Sequence, residues 1–145
     1  MSDENLNRAL DHTAGEIART DTKAGVLLTL DALLVAALSL LGADVHGVAL
    51  GLAVLVAVAL VVSVVLALAV IRPRLAARGA TDRASFVHWA TADPADIEAG
   101  LREDRRLHRL HTLSRIALRK MRYLRGAGDA SLVAVIALAA AMLTR

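Results

Sequence analysis

The sequence predicts an all-α integral membrane helical bundle, and three observations carry that expectation. Val48–Ile71 runs for 24 residues without a charge. At about 1.5 Å per residue it reaches about 36 Å, enough to cross a hydrocarbon core about 30 Å thick. A core helix of a soluble domain would keep a polar stripe, and this run has none. Finally, 57% of the 145 residues are hydrophobic but only 2% are aromatic, so the apolar mass is Ala, Val and Leu. Soluble cores recruit aromatic rings for buried area, so much of this surface is expected to face lipid.

Residues 1–23 are expected to form the wet, amphipathic part of a long first helix. Ser2 is placed to cap it, with acidic residues following in the first turn. Leu6, Leu10, Ala14, Ile17, Asp21 and Ala24 recur at spacings of three and four. No proline interrupts the run to Leu41, so the helix should continue without a break into a first span at 24–41. Gly15 costs about 1 kcal/mol relative to Ala and marks a place for a bend.

The first span contains Asp31. An Asp at the centre of a membrane helix costs about 2.5–3.5 kcal/mol, while each Leu or Val returns about 0.3–0.6 kcal/mol. The span should insert with Asp31 facing protein or water. Gly42, Asp44, His46 and Gly47 make 42–47 an external turn, so the second span, 48–71, returns antiparallel as a hairpin. Arg72-Pro73-Arg74 closes that span, with Pro stopping the helix and Arg anchoring it at the headgroups.

Residues 72–126 read as a basic helical region. The stretch 75–95 is mixed and holds Gly79, Phe86, Trp89 and Pro94. From Asp96, a candidate N-cap, to Arg125 the pattern is a single amphipathic helix, with Ile97, Leu101, Leu107, Leu110, Leu113, Ala117, Met121 and Leu124 on its apolar side. Gly126-Ala127-Gly128-Asp129 should break it. Residues 127–145 then hold a short third span, about 26 Å over 127–143 if Asp129 lies at the interface, or else a helix on the surface or packed in the bundle.

The formal charge of +3 is unevenly spread. Of 17 Lys and Arg, 13 lie between Arg72 and Arg125 with six acids, a net +7. None lies in the 42–47 turn. The bias is expected to place 72–126 and the N-terminus in the cytoplasm and the turn outside, in a multi-pass membrane protein. The first 23 residues lack a basic-then-apolar pattern, so the first span is expected to act as an uncleaved insertion signal. There is no cysteine, which excludes disulfides and thiolate metal sites.

Few residues suggest chemistry. Thr20-Asp21-Thr22-Lys23-Ala24-Gly25 lacks the glycine spacing of a phosphate loop, and no nucleophile motif or zinc signature occurs. An enzyme, a cofactor, a metal site and a nucleic-acid partner are therefore not expected. His108 and His111 share a helical face but lack a third ligand, and a solvated face explains them. His88 beside Trp89 reads as a pair at the membrane surface.

Asp31 has two readings: a pore-facing or proton-sensing carboxylate, or a helix–helix contact to Ser63 or Ser39. The basic face of Arg105, Arg106, Arg109, Arg115, Arg119 and Arg122 has three: attraction to anionic lipid, a partner or subunit seam, and a nucleotide phosphate site. Arginine outnumbers lysine 15 to 2, which singles out Lys23 and Lys120. Asp21 and Lys23 are two apart and do not face each other on a helix, so their partners should come from elsewhere.

The helix through Arg19-Thr20-Asp21-Thr22-Lys23-Ala24-Gly25 leads straight into a span, and the second span ends in Arg72-Pro73-Arg74-Leu75. Ser85-Phe86-Val87-His88-Trp89 and Lys120-Met121-Arg122-Tyr123-Leu124 follow, and then a final span. Taken together, the chain resembles the transmembrane effectors of Pycsar anti-phage systems over nearly its whole length. In that family a pyrimidine cyclase senses infection and makes cyclic UMP or cyclic CMP, and the effector disrupts the inner membrane and stops the infected cell. The resemblance implies that Asp21 and Lys23 are the signature pair and Lys120 their cytoplasmic counterpart. No stretch alternates with period two as the strands of a separate cyclic-nucleotide-binding β-roll would. A partner protein is thus a candidate for the sensing role.

Three thin spans cannot enclose a pore alone, so the expectation is a pore-forming or membrane-disrupting homo-oligomer. The alternative is a non-conducting anchor or scaffold whose basic helix docks a partner protein.

Overall fold

A computed structural model of the chain describes residues 3–42, 46–72, 90–102 and 104–144. Its elements are α1 (Asp3–Ser39), α2 (Gly47–Ile71), α3 (Pro94–Arg102) and α4 (Arg106–Leu143). The described residues form helices and no strands. The centre of the 42–47 turn, the Pro73-Arg74 stop, the 85–89 stretch with His88 and Trp89, and Arg145 lie outside the described residues.

Helix α1 is continuous from its polar start into the first apolar run and passes Gly15 without a break. Gly42 and Gly47 flank the turn with φ of 77° and 60°, the left-handed region that glycine enters without a Cβ clash. Helix α2 then runs back along α1. The Arg72 N–H closes it on the Leu68 carbonyl at 2.9 Å. Among the described residues three helices (α1, α2 and α4) are long and apolar enough to cross a membrane.

The three long helices pack together, with α4 against both α2 and α1. On α1 the buried and half-buried positions run Leu6, Leu10, Thr13, Ile17, Thr20, Ala24, Leu27, Asp31, Leu34, Leu38 and, just past the helix end, Leu41. On α4 they include Arg106, Leu110, Leu113, Ala117, Lys120, Leu124, Ala127, Ser131, Ala134, Leu138 and Ala141. Both series alternate spacings of three and four, the 3.5-residue repeat that keeps a seam facing a partner helix. Each α4 position is its α1 counterpart plus 100, so α1 and α4 lie parallel and in register. Helix α2 packs antiparallel to both through Ala49, Val56, Leu60, Ser63, Ala67 and Val70.

This arrangement corrects the helical phase read from apolarity alone. Thr20 is buried and Asp21 half-buried, while Ala14, Leu107 and Met121 are exposed. Thr20 is tolerated in the seam because its hydroxyl donates to the Glu16 carbonyl of its own helix at 2.7 Å.

Two boundaries differ from the sequence expectation. The expected 96–125 helix is divided. α3 begins at Pro94, which suits a first helical position because it needs no N–H, and the Asp93 carbonyl accepts from the N–H groups of Asp96 and Ile97. Asp96 therefore sits in the first turn and is not the N-cap. A new helix starts after Asp104, whose side chain accepts from the Arg106 backbone N–H at 3.2 Å.

The expected break at Gly126–Asp129 is absent, and α4 runs unbroken through it. Each helical glycine costs about 1 kcal/mol, which packing against α2 offsets here. Ala127 is fully buried, and Gly126 lets the helices approach so closely that a Cβ there would sit 3.2 Å from Leu66 Cδ1. The basic helix and the third apolar stretch are one rod.

The outer faces of the spans are apolar. Val61 is 63% exposed and Ile136 61%, with Val54, Val58 and Leu132 similarly open. Water would oppose a contiguous surface of this kind, and a bilayer accepts it.

Candidate functional site

The spans carry their polar residues inward to one layer. Asp31 on α1, Ser63 on α2 and Ser131 on α4 are all buried, with Asp31 only 1% exposed. Ser63 Oγ donates to Asp31 Oδ2 at 2.6 Å, and Ser131 Oγ donates to Asp31 Oδ1 at 2.6 Å. The two serine oxygens are 2.8 Å apart. Each helix contributes one member, and each carboxyl oxygen has its own donor.

The layer exists because all three residues occupy seam positions of the 3.5-residue repeat. A polar residue in an apolar seam fixes register, since a slip would leave it without partners in hydrocarbon. Of the two serines named as sequence partners for Asp31, Ser63 makes the contact, while Ser39 donates to Val35 of its own helix at 3.0 Å. Ser131 was not singled out from the sequence. Its signal was present in the three-and-four series that runs through Gly126–Asp129 without losing phase.

A second cross-link sits about three turns away. Lys120 Nζ donates to Asp21 Oδ1 at 2.5 Å, with side chains 19% and 37% exposed. Asp21 thus finds its partner on α4. Lys23 is exposed, and Arg19 is exposed and paired with Glu16 at 2.8 Å on the same helix.

A third link ties the polar ends of α1 and α4. Arg106 donates to Asp3 at 2.8 Å, to Asn7 at 3.3 Å and to both oxygens of Asp104 at 2.9 and 2.8 Å. Hydrogen bonds from the Arg106 side chain, then from its backbone N–H, hold the Asp104 carboxyl down at about 2, against an ordinary value of 3.8. The Arg106 guanidinium is shifted upward, chiefly by its hydrogen bond to Asp104. Arg106 is therefore occupied by acids, whereas Arg109, Arg115, Arg119 and Arg122 of the same basic face are exposed. Arg105 is half-buried at the helix start. His108 and His111 are exposed and line an open groove with Arg115 and Arg119, and no three His, Asp or Glu side chains converge among the described residues.

In sum, three polar links at successive depths join α1 to α4, and the innermost also captures α2. Such an arrangement holds spans in one register and places a carboxyl between them.

No curated protein and no solved structure matches the chain. A family model described as PycTM, the Pycsar effector protein domain, matches residues 5–145. That match takes in all three long spans and the Asp21–Lys120 and Asp31–Ser63–Ser131 links almost from end to end, and this membrane protein belongs to the Pycsar effector family.

Proposed function

We propose that this chain is the membrane-disrupting or pore-forming effector of an anti-phage system driven by a cyclic pyrimidine nucleotide. It acts as a homo-oligomer in the inner membrane, with its N-terminus and the 72–126 region in the cytoplasm. The observation that carries this reading is the buried Asp31–Ser63–Ser131 layer, a carboxyl gripped by all three spans at the bundle centre. Intramembrane acids mark ion or proton pathways by default, because their insertion cost is retained only for a use.

The described seam is closed: Val56, Ser63, Val70 and Ala134 have no exposed surface. Conduction therefore requires the spans to part and several copies to share a lumen. A trigger in the cytoplasm shifts the polar halves of α1 and α4, the Asp31 layer opens, and its carboxyl and hydroxyls line the leak. The protein does no covalent chemistry in this scheme. Cyclic UMP or cyclic CMP acts on it directly or through a sensing partner.

The test is ion flux from liposomes holding the purified chain, with and without cyclic UMP and cyclic CMP. Nucleotide-stimulated flux places sensor and leak in this chain, and constitutive flux moves the sensor to a partner. An inserted, oligomeric protein that passes no ions would replace the effector reading with a scaffold. Asp31→Leu that assembles and leaks like the parent would remove Asp31 from the mechanism.

A further inference from the structure

Three neighbouring depressions share lining residues along the side of the bundle where α2 ends against α4. The first is an apolar groove of about 560 Å³ lined by Val65, Leu68, Ile71 and Arg72 among others. It shares Arg72 with a niche that also holds Arg119 and Tyr123. That niche shares Arg119 with a groove of about 230 Å³ reaching Arg115 and His111.

The trough changes character along its length. Val65, Leu68 and Arg72 fall at i, i+3 and i+7 on one face of α2, so an apolar stripe ends in a cation. Val65 and Leu68 are 59% and 52% exposed. Arg115 and Arg119 are one turn apart on α4 and continue the cationic half. Arg72, Arg115 and Arg119 are exposed and make no ion pair with another described residue. Arg106 and Lys120, by contrast, each hold an acid.

We propose that this trough binds an anionic phospholipid, with an acyl chain along Val65 and Leu68 and the phosphate held by Arg72, Arg115 and Arg119. A guanidinium fork suits phosphate oxygens, and basic pockets beside membrane helices at headgroup depth select acidic lipids. Tyr123 places an amphipathic ring and a hydroxyl at the boundary. A free phosphate compound would leave the apolar half empty. That half lies on the membrane-spanning helix α2, where lipid chains are the available occupant. The site requires a membrane-inserted chain but not the effector reading.

The test is native mass spectrometry of the full chain in a non-ionic detergent, offered phosphatidylglycerol and phosphatidylcholine. Retained phosphatidylglycerol should exceed phosphatidylcholine by about tenfold or more. The triple variant R72Q/R115Q/R119Q should fall to parity. R109Q/R122Q/R125Q, with the same loss of charge outside the trough, should keep the preference. Equal losses in the two triples, or parity in the parent chain, would overturn the site. So would displacement of the lipid by glycerol 1-phosphate at equal concentration, since it lacks acyl chains. Arg119→Gln alone, on an exposed side chain, should lower the preference severalfold even if the triple variant loses helix by circular dichroism.

Discussion

Lys120 Nζ lies 2.5 Å from Asp21 Oδ1, a contact between residues 99 positions apart that joins two parallel helices above the apolar part of the bundle. The pair is partly exposed, so its Coulomb gain is diluted by solvent. Asp21→Asn and Lys120→Gln should each lower stability by about 1 kcal/mol or less. The exchange Asp21→Lys with Lys120→Asp should recover most of the loss. Detergent-titrated unfolding of the four proteins measures this, and a swap no better than the singles would show that the contact contributes nothing.

Asp31→Ala removes the acceptor shared by Ser63 and Ser131. The serines can turn to their own helix carbonyls, so the loss is smaller than for two stranded hydroxyls. A double-mutant cycle of Asp31→Ala with Ser131→Ala should give a coupling of about 0.6–1.7 kcal/mol, the range of interhelical hydrogen bonds in membranes. Asp31→Asn keeps a carbonyl acceptor and should retain more of the assembled form than Asp31→Leu.

The two glycines within α4 should respond in opposite ways. A Cβ on Gly128 meets no atom within 4 Å, so Gly128→Ala should stabilise the helix by up to about 1 kcal/mol. Gly126 faces Leu66, and Gly126→Leu should push α4 from α2 at a cost of about 1–3 kcal/mol. Thermal denaturation in detergent separates the two. Equal responses would mean that the close approach at Gly126 is unimportant.

The start of α4 should depend on pH. The Asp104 carboxyl is depressed from 3.8 to about 2 by its hydrogen bonds to Arg106. A depressed carboxyl stabilises the folded form above its unfolded value and loses that contribution as pH falls through the folded one. The Asp104–Arg106 contact should therefore hold at neutral pH and weaken as pH drops from about 4 towards about 2. Helix content and amide protection at residues 106–109 should decline over that window, and Asp104→Asn should remove the step.

Much of this architecture can be read without coordinates. The uncharged 24-residue run, the unbroken first helix and the inward Asp31 follow from hydropathy and insertion cost. Ser63 as a partner follows from its being the polar residue of the second span. The joining of the basic helix to the last span was not legible from propensity, because the two glycines suggest a stop and only packing against Leu66 and Ala127's burial overrule them. Phase would have served better: Leu113, Ala117, Lys120, Leu124, Ala127 and Ser131 keep step through the glycines. Asp21 with Lys120 is a tertiary pairing, and no local spacing in either helix announces it.

Helix α4 extends about 57 Å at 1.5 Å per residue, from Arg106 to beyond Ser131, with no joint along its length. Under the proposed mechanism it would act as a drive shaft. With no joint to absorb it, a twist applied at the polar end would arrive at Ser131 as rotation of the hydroxyl away from Asp31. A slide of one heptad would carry that hydroxyl about 10 Å along the axis, past its partner altogether. The link at Lys120 sits between the two ends, so under the proposed mechanism a stimulus travelling this route would have to release Asp21 before it reached the carboxyl.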